Sequence, residues 1–240
     1  MRFLNLSRET PAENLALDEA LLESAALGHS GDTLRIWESP SRFVVLGTGQ
    51  CAAEEANLEA CMQAGIPVLR RCSAGGCVLQ GPGSLNFSLV LLLDAHPEAR
   101  SLHQSYCIIL NRLRDAFRVH GCQLDHAGTS DLSLGGRKVS GNAQRRKREA
   151  ILHHGTLLHA TDYEGMARYL KEPSDRPGYR GDRTHADFVT RLPFSRAELE
   201  GIITEAYAPL TPGELTPAEA GRMRQLAEEK YTQDEWNLRR

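Results

Sequence analysis

Apolar positions along this chain recur with two periods, and the places where one gives way to the other mark out its elements. Thr10-Pro11-Ala12-Glu13, Ser195-Arg196-Ala197-Glu198 and Thr216-Pro217-Ala218-Glu219 each fit a capping box. There a hydroxyl and a carboxylate satisfy backbone N–H groups that the first helical turn leaves open. Two of the three add Pro at the first helical position, where its missing N–H costs nothing. The first helix is predicted to run to about Ala26, with Leu15, Asp18-Glu19, Leu21 and Leu22 as a mixed amphipathic face. Another is predicted over 102–119, where Ile108, Leu110, Leu113 and Phe117 recur at helical spacing.

The remaining apolar runs are short and β-rich. Leu34-Arg35-Ile36-Trp37, Phe43-Val44-Val45-Leu46-Gly47, Val68-Leu69-Arg70, 85–93 and 151–158 all read as strands. Asp131-Leu132-Ser133-Leu134 and Arg137-Lys138-Val139 flank Gly135-Gly136, a two-residue hairpin signal that puts Lys138 near the start of the return strand. Strands and helices do not alternate regularly, so the predicted class is α+β with a mixed β-sheet flanked by helices. Residues 173–187 have no period and read as a long loop, a functional candidate by length alone.

At 240 residues, 41% hydrophobic and 25% charged, the chain can bury a full core in one decorated domain. A net charge of −3 argues against a nucleic-acid binder, which usually carries a strongly basic domain. None of the six cysteines (Cys51, Cys61, Cys72, Cys77, Cys107, Cys122) forms a C-x-x-C pair, so zinc-ribbon and thioredoxin-like readings have no support. The N-terminus turns polar before a signal-peptide core can form, and the longest apolar run, 89–93, is far short of a membrane span. The expectation is a reduced, cytoplasmic protein with no nucleic-acid or membrane partner.

Three segments could carry chemistry. In Arg70-Arg71-Cys72-Ser73-Ala74-Gly75-Gly76-Cys77-Val78-Leu79 a strand ends in two guanidinium groups and enters a small-residue turn. Such a turn can converge backbone N–H groups on an anion, with Arg supplying bidentate donors. The same residues also fit a tight strand connection after two surface arginines. It is not a P-loop, for the fixed Lys-Ser/Thr after the glycines is missing, and the G-x-G-x-x-G fingerprint is absent too. In the second segment Lys138 sits between Gly135-Gly136 and Ser140-Gly141-Asn142-Ala143. It reads either as a solvated edge residue or as a fixed ammonium facing developing charge. A Schiff-base lysine is a rival with no other feature behind it. In the third, His153 and His154 are neighbours on a strand and face opposite sides, so they cannot chelate one metal together. One of them fits a satisfied core histidine. The run Arg145-Arg146-Lys147-Arg148 reads as a solvated basic turn that could dock an acidic partner.

Taken in order, these segments resemble the lipoate–protein ligase A family, within the biotin/lipoate ligase and octanoyltransferase superfamily. The resemblance covers most of the chain. It starts at Asn14-Leu15-Ala16-Leu17-Asp18-Glu19-Ala20-Leu21 and is most specific at 70–79, Ser84-Leu85-Asn86-Phe87, 136–143 and 153–158. It implies a biotin/lipoate ligase catalytic-domain-like fold over 1–210, followed by a C-terminal helical tail over 211–240 without the accessory domain of longer ligases. It implies ATP, Mg²⁺ and lipoate: lipoate becomes lipoyl-AMP, and the lipoyl group passes to a lysine of an apo lipoyl-domain protein. Lys138 would be catalytic, contacting acyl carbonyl and α-phosphate. The implied ligand-binding set is Arg71, Ser73, Gly75, Gly76, Cys77, Val78, Leu79, Asn86, Lys138, Ser140, Gly141, Ala143 and His154. Asp131 is the candidate for Mg²⁺, which typically takes one or two carboxylates. Strand alternation suggests an acyl tunnel lined by Val44, Leu46, Val78 and Phe87.

Three departures modify this. The family's glycine triplet reads Ala74-Gly75-Gly76, its usual His after the turn is Gln80, and the chain ends at Arg240 soon after the segment that leads into the accessory domain. Activation is then expected to need either a separate accessory subunit or an acyl group activated beforehand. The alternative is therefore an ATP-independent octanoyl or lipoyl transferase. Transferases with a thioester intermediate place a cysteine just upstream of the lysine hairpin, where this chain has Gly128-Thr129-Ser130. On that ground the ATP-dependent ligase ranks first. A non-catalytic protein that binds an acyl-adenylate or a lipoyl domain is the reading from another class. Lipoate versus octanoate preference, the acceptor's identity and the oligomeric state are not legible.

Overall fold

A computed structural model describes residues 1–160, 162–173 and 176–239; Arg240, at the end of the expected tail, lies outside them, as do Ser174 and Asp175 of the expected long loop. Eleven strands form among the described residues. They are β1 (Arg2–Asn5), β2 (Thr33–Trp37), β3 (Phe43–Leu46), β4 (Val68–Arg70), β5 (Val78–Gln80), β6 (Ser84–Leu92), β7 (Asp125–Ala127), β8 (Asp131–Leu134), β9 (Arg137–Arg146), β10 (Ala150–Leu158) and β11 (Thr211–Pro212). Eight build one sheet in the order β11-β1-β2-β6-β10-β9-β8-β7, and β4-β3-β5 build a second. Parallel pairs (β1 with β2 and β11) share the large sheet with antiparallel ones, so the sheet is mixed and the class is α+β.

All three capping boxes form, at helices Pro11–Ala26, Arg196–Ala206 and Pro217–Leu226. Helix Leu102–Val119 has the predicted bounds, but its inward stripe runs through Ile109 and leaves Ile108 exposed. Helix Pro11–Ala26 differs from an amphipathic surface helix: 11 of its 16 residues are buried, because it lies between the sheet and helix Pro217–Leu226. The strands β1, β5, β7 and β11 and the short helices Ala52–Glu55, Leu58–Gln63 and Tyr163–Tyr169 were not predicted, being too short to show a period. Within the expected loop, Gly178–Arg180 is a 3₁₀ turn and His185–Phe188 a helical turn.

The two faces of the large sheet differ in chemistry. On β6, Leu85, Phe87, Leu89 and Leu91 point into a core shared with helices Leu102–Val119 and Arg196–Ala206. The alternate residues Asn86, Ser88 and Val90 point to the side of helix Pro11–Ala26, where Val90 joins a second core. A period of two thus gives one dry face and one face interrupted by polar groups. The site forms on the interrupted face.

The C-terminal segment is fastened to this body. Arg70, fully buried, donates to the carbonyls of Trp236 (3.0 Å), Asn237 (3.0 Å) and Arg239 (2.8 Å), and to those of Gly47 and Gln50 (2.7 Å each). Trp236 returns a bond from its indole N–H to the Arg70 carbonyl at 2.8 Å.

Candidate active site

Lys138 opens the return strand of the β8–β9 hairpin, whose turn residues Gly135 (φ +57°) and Gly136 (φ +73°) adopt the left-handed backbone that a tight hairpin requires. The lysine does not extend into solvent. Its chain lies over Gly141, where a Cβ would stand 2.7 Å from Nζ, and Nζ reaches Asp131 Oδ1 at 2.9 Å. Asp131 Oδ2 accepts from the Tyr179 hydroxyl at 2.8 Å. Burial and the Asp131 charge push the Tyr179 phenol up, so it stays a donor. The strand is pinned from outside as well: Thr190 N–H donates to the Lys138 carbonyl at 2.8 Å.

Facing this hairpin is the turn between β4 and β5. Gly75 (φ +96°) leaves room for Arg71 to fold back over the turn, where Nε donates to Ser73 Oγ (3.0 Å) and Nη2 to the Ala74 carbonyl (2.7 Å). Gly47 packs its Cα against the Gly75 carbonyl, a contact any side chain would break. Ser73 also meets His154, Oγ to Nε2 at 2.6 Å. On its other side His154 Nδ1 lies 3.4 Å from Asp18 Oδ2. Asp18 is fully buried and paired with Arg35 at 2.6 Å. Burial works to raise the Asp18 carboxyl, but Arg35, His154 and Ser88 outweigh it and hold it below its ordinary value.

Two cavities meet at Lys138. The first, of about 160 Å³, runs from Lys138, Asp131 and Arg71 to an apolar end at Leu15, Trp37 and Val45. The second, of about 380 Å³, has apolar walls at Leu158, Met166, Leu170 and Phe188 with Lys171, Arg180 and His185 at its edge. Cys77, Val78 and Gly141 line both.

Of the implied ligand-binding residues, Arg71, Gly75, Gly76, Cys77, Val78, Asn86, Lys138, Gly141, Ala143 and His154 line the first cavity, and Leu79 lines the second. Ser73 and Ser140 lie behind these walls, at 1% and 0% exposure, so they support the site without facing a ligand. Asp131 lines both cavities, yet each of its oxygens already accepts a bond, from Lys138 and from Tyr179. No group of three or more His, Cys, Asp or Glu that could hold a metal occurs among the described residues. As arranged, the carboxylate serves the ammonium and does not fit a waiting Mg²⁺ site.

The tunnel prediction was out of phase by one residue. Val45, not Val44 or Leu46, lines the first cavity, and Phe87 points into the opposite core while Asn86 faces the site; Val78 is placed as expected. A strand's two faces exchange with every one-residue offset, and the runs Phe43–Leu46 and Ser84–Leu92 are buried on both faces, so hydropathy could not set the phase. The basic run is split: Arg145 and Arg148 stay exposed, as a solvated turn would have them, while the other two are engaged. Arg146 is turned inward onto the carbonyls of Ala99 and Arg100, and Lys147 pairs with Glu23. Cys77 is the thiol at the cavity junction, and burial pushes it up to about 12.

Sequence reading missed Trp37, Leu15, Tyr179, Lys171 and Arg180 as site residues, and it missed the polar ring at Gln80. Gln80 Nε2 donates to Thr156 Oγ (2.7 Å), Thr156 Oγ to Asn86 Oδ1 (2.7 Å) and Asn86 Nδ2 back to Gln80 Oε1 (3.0 Å). Three polar side chains on an otherwise apolar wall were visible in β5, β6 and β10; only the pairing of those strands joins them.

A family model described as lipoyl protein ligase A/B catalytic domain matches residues 10–194. The chain is 30% identical over 274 residues to octanoyltransferase LipM of Kyrpidia tusciae, covering 100% of this chain and 98% of that one. Among solved structures, it resembles a lipoate-protein ligase A bound with ATP (TM-score 0.85, 24% identity, 99% of this chain and 98% of the other). It also resembles Ta0514 of T. acidophilum, a lipoate protein ligase with bound lipoic acid (TM-score 0.79, 25% identity, 99% and 98% covered).

Proposed function

This chain belongs to the lipoyl protein ligase A/B catalytic-domain family, and we propose that it moves an octanoyl or lipoyl group from a thioester-activated donor to a lysine of a lipoyl domain, without ATP. It is an enzyme of the lipoate/octanoyl transferase family. The observation that carries the transfer reading is the Lys138 ammonium at the junction of an apolar-ended cavity and a second cavity with a cationic edge. Sequence alone ranked ATP-dependent activation first. The octanoyltransferase relatives, matched from end to end, favour the ATP-independent alternative instead.

The acyl chain occupies the first cavity, towards Leu15, Trp37 and Val45, where each buried CH₂ contributes roughly 0.8 kcal/mol. Its carbonyl lies beside Lys138. The acceptor's neutral amine attacks the carbonyl carbon, and Lys138 offsets the charge that develops on oxygen. The carbon–sulfur bond then breaks, the amide forms, and the proton lost from nitrogen ends on the departing thiolate. Asp131 keeps the ammonium in place through the sequence. Burial pushes Cys77, the thiol lining both cavities, up to about 12, which disfavours an acyl-enzyme on it and favours direct transfer.

The ligase reading keeps one observation in its favour: Lys171, Arg180 and His185 suit any phosphate-bearing leaving group, adenylate as well as phosphopantetheine. Intact-mass analysis of an apo lipoyl domain separates the two. With octanoyl-carrier protein and no ATP, the domain gains an octanoyl group. Modification only with lipoate, ATP and Mg²⁺ makes the chain a ligase, and modification in neither arm points to a missing accessory subunit or to a binding protein.

A further inference from the structure

One of the paired histidines does not face the site at all. His153 is fully buried, stacked on Phe87 (5.9 Å between centroids) and edge-on to Tyr106 (5.4 Å). Burial drives its pKa down to about 3, so the ring is neutral. A neutral imidazole has one donor and one acceptor nitrogen, and the surroundings decide which is which.

Here both ends of the hydrogen-bond chain are fixed. Arg146 can only donate, and its Nη1 lies 2.8 Å from Gln144 Oε1. The other end of that amide, Nε2, is therefore the group 3.1 Å from His153 Nδ1, which must accept. The ring proton then sits on Nε2, 3.3 Å from Asn142 Oδ1. At the far end the Ser130 carbonyl can only accept, and Asn142 Nδ2 donates to it at 2.7 Å. Donor and acceptor assignments forced from the two ends agree in the middle. Asn142 itself fits only because residue 155 is glycine: a Cβ there would overlap the Asn142 amide oxygen.

We propose that His153 and Gln144 are positioning residues for acyl transfer: held in one polarity by Arg146, they aim Asn142 so that it ties the Ser130 carbonyl and, with it, Asp131 and Lys138 into register. Asn142 lines the first cavity, but its amide is already committed on both sides, to His153 and Ser130. It works as a strut between β9 and the segment that delivers Asp131. The proposal rests on the acyl-transfer reading above.

The tautomer is measured first, by ¹⁵N NMR of the histidine rings in the whole protein. His153 should show a protonated Nε2 and a bare Nδ1; a protonated Nδ1 overturns the proposal whatever reaction the enzyme performs. Steady-state transfer to the lipoyl domain is measured next. His153→Phe keeps the packing but breaks the chain, and kcat should fall by about tenfold to a hundredfold while KM for the acyl donor moves less than about threefold. His153→Gln, which can accept and donate at the same two places, should recover most of the loss. Arg146→Leu leaves the cavity linings in place and removes the guanidinium donor at Gln144 Oε1, leaving the Ser105 hydroxyl at 3.0 Å, so it should reproduce part of the kcat fall in a protein whose core histidine is intact. A loss confined to KM, or an unaltered kcat in both His153→Phe and Arg146→Leu, overturns the proposal. Absence of transfer by the wild-type protein defeats the acyl-transfer reading instead and leaves the NMR result to be read by itself.

Discussion

Lys138 Nζ and Asp131 Oδ1 stand 2.9 Å apart, with the lysine chain laid flat over Gly141 to make the contact. The pair is a quarter to a tenth as open as free side chains, at 25% and 9% exposure, so it is only partly screened by water. The ammonium is thus aimed before any substrate arrives.

Lys138→Ala should lower transfer by at least about a hundredfold while thermal unfolding stays within a few degrees of wild type, because the role is charge at a developing oxyanion. Asp131→Asn should cost about tenfold, since the amide keeps a hydrogen bond but not the charge. Near-normal rates in Lys138→Ala, measured by intact mass of the lipoyl domain, would sink the mechanism.

Incubation with the acyl donor alone should leave the mass of the protein unchanged after donor removal. The thiol that lines both cavities, Cys77, is pushed up to about 12 by burial and offers almost no thiolate near neutral pH. An acyl group recovered on Cys77 would replace direct transfer by a two-step route.

Asp18→Asn should destabilise the fold by about 3–5 kcal/mol, the usual cost of leaving one member of a buried ion pair alone. Arg35 would keep its bonds to the Leu6 and Asn14 carbonyls but lose its counter-charge at 2.6 Å. Equilibrium denaturation reads the difference, and a cost below about 1 kcal/mol would mean the pair is not isolated from water.

Stability should rise with pH between about 3 and the ordinary histidine value of 6.5, owing to His153. In that window the unfolded chain binds the proton and the folded chain does not, so ΔG of unfolding increases with pH. The contribution is complete above 6.5 and is lost as pH falls towards 3. Asp18, also held below its ordinary carboxylate value, adds a loss at the acid end of the same range. Denaturant midpoints across this range should slope less in His153→Gln; identical slopes would show that the ring titrates equally in both states.

Gly47→Ala should cost about 1–3 kcal/mol, because the new methyl of this buried residue meets the backbone carbonyl of Gly75 and not a movable side chain. The acyl-donor KM should rise with it, since that turn walls the first cavity. Wild-type stability and KM together would mean the two turns are free to separate.

What the chain disclosed of itself follows from range of interaction. Capping boxes at Thr10, Ser195 and Thr216 and the Gly135-Gly136 turn are local chemistry, and all four stand where the pattern put them. Lys138 and Arg71 were legible as candidates from their small-residue settings and His154 through the family resemblance, and the three line one cavity. The phase of strands buried on both faces was not legible, which is why Val45 lines the site where Val44 and Leu46 were expected, and why Phe87 points into the opposite core. Nor was the role of Tyr179, which sits in the segment marked by length alone and meets Asp131 from 48 residues away. Pairings of that reach leave no period behind. The order of activation and transfer was likewise beyond residue spacing, since an octanoyltransferase and a ligase structure both match this chain almost from end to end.

The cage around Arg70 gives this protein a schedule. Its guanidinium is made early on the ribosome, but three of its carbonyl partners belong to residues 166 to 169 positions further on. Without Trp236, Asn237 and Arg239, a cation that is fully buried in the fold lacks three of the carbonyls that hold it. The turn that carries Arg71 is therefore braced by a segment some 166 to 169 positions further along the chain, so the two are fixed together only once both are folded.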